Sequence, residues 1–174
     1  MVPFFALLVV TAVSAGIGVV AARRTGEPGK GWQRPLSHGM AVMFLVAALG
    51  HFIEPLRSGL IATVPPIIPL PDVVITATGL VEIVLAAALL VPASRRLAAS
   101  ATVLYLLAVF PANVLAATSV DHADAPSTPL LLRAAIQVVF VAAAVVIART
   151  GEGRGLRDAL RMLGSRRHSG APRA

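Results

Sequence analysis

The chain of 174 residues contains no cysteine and few charged side chains. Without cysteine it can form no disulfide, thiolate nucleophile or cysteine-ligated metal centre, so any redox chemistry needs a bound cofactor or a partner protein. Charged residues make up 13% of the chain and hydrophobic residues 57%. Because soluble domains carry about 25% charged residues, this composition predicts a polytopic membrane protein.

Five apolar stretches are long enough to cross a bilayer, which takes about 20 helical residues. They occupy residues 3–22, 36–53, 73–91, 97–117 and 130–148. We predict an all-α membrane helix bundle, with a four-helix core formed by the second to fifth spans and an added N-terminal helix. The predicted segments are an N-terminal transmembrane helix at 1–24, the four-helix membrane domain at 36–148 and a basic tail at 149–174.

The first span has two readings. Val13, Ser14 and Ala15 resemble the cleavage site of a secretory signal peptide. A signal peptide carries its positive charge before the apolar core, whereas here Arg23 and Arg24 follow it. We therefore expect a retained span, with cleavage as the alternative.

Basic residues are distributed unevenly over the loops. Four lie in the linker after the first span, two in the turn after the third and seven after residue 148, which is thirteen of the 15 lysines and arginines. Because positively charged loops stay in the cytoplasm, we predict a plasma-membrane protein with its N-terminus outside and its C-terminus inside. The net charge of +7 then faces anionic headgroups of the bilayer, and nucleic acid is not an expected partner.

The connection between the second and third spans, residues 55–72, is apolar but rich in proline. Pro65, Pro66, Pro69 and Pro71 fall within seven residues. Proline lacks an amide donor and disfavours helical geometry in the residue before it, which excludes a continuous helix here. Since irregular backbone does not face lipid at depth, we predict an outer lid or a shallow re-entrant loop, with a plain connector as the alternative.

Glu82 is the most informative residue because it lies about halfway along the third span. A carboxylate at the centre of a bilayer costs about 2.5–3.5 kcal/mol on insertion scales, and such groups ordinarily face the bundle interior or a polar cavity. The structural alternative is a protonated carboxyl that hydrogen-bonds across helices. Tyr105, the only tyrosine, is expected to serve packing in the inner half of the fourth span.

Six further polar residues are predicted to lie in the same outer half of the bundle as Glu82, one of them on its own span. They are His51, Glu54, Thr78, Asn113, Arg133 and Gln137. Residues three or four apart share a helix face, which places a polar pair on each of the second, third and fifth spans. We predict one outward-facing polar pocket built by all seven residues, with Glu82 at its floor, the two residues of the second span nearest the surface and the proline-rich loop above.

Each of these residues also has a structural reading. Arg133 can extend its side chain to the outer interface, and Asn113 and Gln137 belong to the types that commonly hydrogen-bond between membrane helices. His51 and Glu54 can simply end a helix. A single histidine with no second one nearby does not predict a metal site.

Several short motifs resemble the DoxX-like family of small bacterial membrane proteins. In chain order they are Gly50-His51-Phe52 with Pro55, Val64-Pro65-Pro66 with Pro69, Thr78-Gly79 with Glu82, Leu89-Leu90-Val91-Pro92 with Arg95-Arg96, Phe110-Pro111-Ala112-Asn113, and Leu132-Arg133 with Gln137. The resemblance covers about residues 40–148 and implies a four-helix membrane bundle. The first span is an addition to that pattern.

The resemblance implies a function only in outline. The family takes its name from a subunit of a membrane thiosulfate:quinone oxidoreductase, and other relatives are associated with redox or thiol-stress complexes. For this chain it implies a non-catalytic subunit or accessory factor of a quinone-linked redox system, with a membrane oxidoreductase subunit as partner and a quinone or another small lipophilic ligand in the pocket.

In that reading Glu82 would hydrogen-bond the ligand or exchange a proton with it, and Arg133 would hold negative charge. Asn113 and Gln137 would orient polar atoms. Two alternatives stay open, namely a proton-coupled small-solute transporter or channel, and a structural membrane anchor or assembly factor. Whether the chain has enzymatic turnover of its own is left undecided by the sequence.

Overall fold

The computed structural model describes residues 2–25, 33–118, 123 and 128–150, and the regular elements in these segments are all α-helices. In chain order they are α1 (Val2–Thr25), α2 (Gln33–Leu49), α3 (Leu56–Ile61), α4 (Pro71–Leu90), α5 (Arg95–Thr118) and α6 (Leu130–Thr150). The basic tail beyond Thr150 lies outside the described residues.

Four of these helices, α1, α4, α5 and α6, are long and apolar enough to cross a membrane. The helix α2 has 17 residues, at the lower end of the range of about 17–25 for a spanning helix. It is deeply buried by its neighbours, since Met40, Ala41 and Phe44 are at most 1% exposed. The chain is therefore a multi-pass membrane protein.

The helices α2, α4, α5 and α6 form a ring in which each packs against the next, and α6 returns to α2. The turn at residues 91–94 is so short that α4 and α5 are antiparallel neighbours. The helix α1 lies outside the ring against α2, and its Phe4 ring meets that of Phe140 on α6 with centroids 6.3 Å apart. The predicted all-α bundle, a four-helix core with one added helix, is confirmed.

Close packing of α1 on α2 depends on Gly39. A Cβ at this position would lie 2.6 Å from the carbonyl oxygen of Leu7 on α1, so a larger residue would displace α1. Beside this crossing, Ser14 Oγ and His38 Nδ1 are 2.8 Å apart. Small residues bring membrane helices together because lipid gives no hydrophobic driving force between them.

The ring is packed solid near the α4–α5 turn. Its buried apolar side chains there include Met40, Leu85, Leu89, Ala99, Ala144 and Ile147. Arg95 is also buried, and it donates from Nε to the Leu89 carbonyl at 3.0 Å and from Nη2 to the Leu90 carbonyl at 3.2 Å. These bonds satisfy carbonyls that the end of α4 leaves without helical partners. We call this end of the bundle the arginine face, after Arg23, Arg24, Arg95, Arg96 and Arg149.

The connection between α2 and α4, residues 50–70, covers the opposite end, which we call the loop face. The helix α2 ends at Leu49 instead of at the predicted residue 53, because the amides of Gly50 and His51 turn back to the carbonyls three residues earlier. The short helix α3 follows, which the sequence did not predict, and Arg57 on it donates from Nη1 to the His51 carbonyl at 2.7 Å. The proline-rich stretch is not helical until Pro71 begins α4, as expected.

Candidate functional site

Glu82 points into the ring and not toward lipid, since only 7% of its surface is exposed. Its Oε1 accepts a hydrogen bond of 2.8 Å from the hydroxyl of Tyr105 on α5. The Tyr105 ring is held in turn by Phe44 on α2, which meets it edge-on with centroids 5.9 Å apart. The expectation that Tyr105 serves packing is thus incomplete, because its hydroxyl also fixes the buried acid.

His51 lies at the other oxygen of the same carboxyl group. Its Nε2 is 3.4 Å from Glu82 Oε2, which is longer than the usual N–H···O range of about 2.7–3.2 Å. Oε2 is buried and has no hydrogen-bond partner among the described residues, so the contact is electrostatic. The sequence placed His51 nearer the surface, but the early end of α2 brings it to the depth of Glu82.

The second ring nitrogen of His51 determines where the histidine carries its hydrogen. Nδ1 lies 2.8 Å from the carbonyl oxygen of Ile75, and because a carbonyl can only accept, Nδ1 must donate. In the neutral ring Nε2 is therefore a bare acceptor that faces Glu82 Oε2. These two acceptors are compatible when a proton resides on one of them. The pair is then either a neutral histidine with a protonated glutamic acid or a histidinium with a glutamate, and its net charge is zero in both cases. A neutral pair suits a site inside a membrane.

Thr78 and Gly79 shape the surface of α4 on which His51 lies. Thr78 Oγ1 donates to the Val74 carbonyl at 2.9 Å and is 3.2 Å from His51 Nδ1. A Cβ at Gly79 would come within 2.6 Å of the His51 Cβ, so glycine is required for this approach. Together with the Arg57 bond to its carbonyl, these contacts fix the backbone and the side chain of His51.

A second polar cluster lies between α5 and α6. Arg133 Nη1 is 3.4 Å from Asn113 Oδ1, and Arg133 Nε donates to the Thr128 carbonyl at 2.7 Å. Gln137 is buried and donates from Nε2 to the Leu106 carbonyl at 2.6 Å. The predicted stripe of Arg133 and Gln137 therefore faces α5, as a shared helix face requires.

The two clusters adjoin along α5. Leu106, which accepts from Gln137, is the neighbour of Tyr105, which donates to Glu82. Glu82 contacts Tyr105 and His51, whereas Arg133 contacts Asn113 and the Thr128 carbonyl. The contacts of the described residues thus arrange the predicted pocket residues in two adjacent groups, and a single shared pocket stays a prediction.

Glu54 belongs to neither group. It is exposed at the loop face, where its Oε2 accepts the amide hydrogen of Ser58 at 3.1 Å, within the first turn of α3. Its spacing from His51 predicted a common helix face, but both residues come after the end of α2. Glu54 therefore stabilises the start of α3, apart from both groups.

Comparisons with known proteins place the chain in a family but give no activity. No curated protein and no solved structure matches it. Residues 40–148 match the family model described as "Domain of unknown function (DUF8561)", and this stretch holds both polar clusters while α1 lies outside it. Since the match extends over more than half of the chain, the protein belongs to the DUF8561 family.

Proposed function

We propose that this protein is a DoxX-like, non-catalytic accessory subunit of a membrane redox system, and that it binds a quinone or a similar lipophilic carbonyl compound beside Glu82. The observation that carries the proposal is the buried carboxyl group, whose Oε1 is held by Tyr105 while Oε2 has no hydrogen-bond partner among the described residues. A buried unsatisfied oxygen costs about 1–3 kcal/mol. A ligand that hydrogen-bonds there would recover this cost.

The atoms around Oε2 fit the oxygen of a quinone. A carbonyl oxygen needs a hydrogen-bond donor, and a proton carried by Glu82 Oε2 or by His51 Nε2, which face each other at 3.4 Å, would supply one. Because Tyr105 occupies Oε1, Oε2 is the oxygen that remains for a ligand. A bound quinone would supply the electron-transfer chemistry that a cysteine-free chain lacks.

The protein side chains would then hold and move a proton. Transfer between Glu82 Oε2 and His51 Nε2 changes no net charge in the ring, which keeps the electrostatic cost of the movement low. Arg133 and Asn113, both half-buried near the start of α6 and the end of α5, would offer a positive charge and an amide to further polar atoms of the ligand.

Quinone binding by the purified full-length protein tests this proposal. A short-chain ubiquinone analogue and a menaquinone analogue are titrated in mild detergent into the wild type and into Glu82→Gln, His51→Gln and Tyr105→Phe. We expect saturable binding that Glu82→Gln weakens about tenfold, the equivalent of about 1.4 kcal/mol. Thr76→Val is the matched control, because Thr76 Oγ1 donates to the Asp72 carbonyl within α4.

Absence of saturable binding, or unchanged binding in Glu82→Gln, would contradict the proposal. Co-purification from native membranes tests the accessory role separately, since an oxidoreductase subunit should accompany the protein. If neither a partner nor a quinone is found, a structural anchor is favoured. Proton flux into proteoliposomes that Glu82→Ala abolishes would instead favour a carrier, although the packed core at the arginine face argues against a continuous path.

A further inference from the structure

A shallow apolar groove runs along α1 toward the arginine face. Its first part lies between α1 and α6, where Leu8, Ala12 and Gly16 face Val139 and Ala143. Its second part follows α1 and is lined by Val13, Gly16, Ile17, Val20, Ala21 and Arg24. Gly16 lines both parts, so the groove continues from the middle of α1 to Arg24.

The groove is open because α1 packs only at the edge of the bundle and because Gly16 has no side chain. A Cβ at Gly16 would meet no atom within 4 Å. Val13, Ile17 and Val20 beside it are each more than half exposed. In a membrane this surface is available to an acyl chain.

The end of the groove is positively charged. Arg24 lines it, and Arg23 precedes Arg24 in the last turn of α1. From Val13 to Arg24 the helix rises about 16 Å at about 1.5 Å per residue, close to half of a hydrocarbon core of about 30 Å. The apolar length and the charged end therefore match one lipid of one leaflet.

We propose that this groove binds one anionic phospholipid, with an acyl chain over Gly16 and the phosphate on Arg24. A guanidinium pairs with a phosphate through two parallel hydrogen bonds, and the chain's net charge of +7 favours an anionic over a zwitterionic headgroup. Except for its wall on α6, formed by Val139 and Ala143, the site lies outside the residues that match the family. It is independent of the quinone proposal.

Two matched pairs of full-length variants test this site. Gly16→Leu fills the groove, whereas Gly18→Leu adds the same side chain at a position that also has open space around its Cβ but lines neither part of the groove. Arg24→Gln removes the charge at the end of the groove, and Arg23→Gln removes an equal charge one residue away.

Lipid retention is measured by native mass spectrometry after incubation in detergent with phosphatidylglycerol or phosphatidylcholine at equal concentration. We expect the wild type to retain one phosphatidylglycerol in preference to phosphatidylcholine. Arg24→Gln should reduce that retention about fivefold, the factor expected for one basic residue at an anionic surface. Gly16→Leu should reduce it because the leucine side chain occupies the place of the acyl chain. The control variants Gly18→Leu and Arg23→Gln should retain phosphatidylglycerol as the wild type does.

Equal retention of the two lipids by the wild type, or equal losses within either pair, would overturn the proposal. So would a dimer of the wild type that Gly16→Leu dissociates, because the groove would then hold α1 of a second copy. Circular dichroism checks that every variant is helical. If Gly16→Leu does not fold, the comparison of Arg24→Gln with Arg23→Gln still decides.

Discussion

Replacement of Tyr105 by phenylalanine removes one hydroxyl group from the buried site and keeps the aromatic ring against Phe44. That hydroxyl donates the 2.8 Å hydrogen bond to Glu82 Oε1. Oε2 already has no hydrogen-bond partner among the described residues. The variant would therefore leave both oxygens of a carboxyl group that is only 7% exposed without a hydrogen bond from this part of the chain.

The size of the effect follows from these surroundings. A typical hydrogen bond contributes about 0.5–1.5 kcal/mol, and leaving a buried partner unsatisfied costs about 1–3 kcal/mol. Bonds between membrane helices average about 0.6 and reach about 1.7 kcal/mol, because the unfolded chain in a membrane also finds partners. In the folded variant, the buried Glu82 carboxyl group would have no other hydrogen-bond donor among the described residues. We therefore expect a loss near the upper end of this range, about 1.5 kcal/mol.

Reversible unfolding in detergent, followed by circular dichroism, measures this loss. Glu82→Met and the double variant complete a cycle in which the coupling energy of Tyr105 and Glu82 should be about 1 kcal/mol or more. Ser100→Ala is the control, since Ser100 Oγ bonds to the Arg96 carbonyl of its own helix and its loss should stay within about 0.5 kcal/mol. Additive effects of the two site variants, within about 0.3–0.5 kcal/mol, would refute the reasoning.

Three further substitutions probe the same bundle by unfolding in detergent. Gly79→Ala is expected to cost about 1–3 kcal/mol and to weaken quinone binding, because its Cβ would lie 2.6 Å from that of His51. Gln137→Leu is expected to cost about 1 kcal/mol, since it removes the 2.6 Å bond to the Leu106 carbonyl. Leu89→Ala, at a side chain with no exposed surface, is expected to cost about 2–5 kcal/mol.

Each of these changes has a control on the outer surface. Gly18→Ala places a Cβ where no atom lies within 4 Å, and Val138→Ala and Leu104→Ala shorten side chains that are 66% and 67% exposed. We expect each to change stability by no more than about 0.5 kcal/mol. A loss for Leu104→Ala as large as that for Leu89→Ala would contradict the assignment of Leu89 to the ring interior.

The long helices could be predicted from the sequence because apolar length and proline define their ends. The third span was expected at 73–91 and is found at Pro71–Leu90, where Pro71 suits the first turn and Pro92 follows the last. The buried position of Glu82 also follows from the cost of a carboxylate in lipid. These features depend on local chemistry, which a single sequence contains.

The end of α2 and the helix α3 could not be predicted in this way. Hydrophobic residues continue on both sides of Gly50, so hydropathy gives no reason to end the span there. The turn depends on tertiary contacts, namely the Arg57 bond to the His51 carbonyl and the close approach of His51 to Gly79. The spacing of His51 and Glu54 predicted a shared helix face, and this prediction was wrong because α2 ends at Leu49, before both residues.

The hydrogen bond from Tyr105 to Glu82 could have been anticipated from the positions of the two residues along α4 and α5, which a hydropathy analysis does not consider. Glu82 lies eight residues before the end of α4 and Tyr105 ten residues after the start of α5, and an antiparallel pair of helices places such residues at nearly the same level. Which side of α5 faces α4 depends on the rotation of the helix, and that rotation is determined by packing, as in the contact of Tyr105 with Phe44.

The packed core at the arginine face has a consequence for any reaction at Glu82. From Glu82 to the end of α4 the helix runs about 12 Å at about 1.5 Å per residue, and buried side chains such as Leu85 and Leu89 fill the ring over this length. Leucine side chains carry no group that could relay a proton. Protons and a bound molecule would therefore both have to reach Glu82 from the loop face, and the two steps could not occur at the same time.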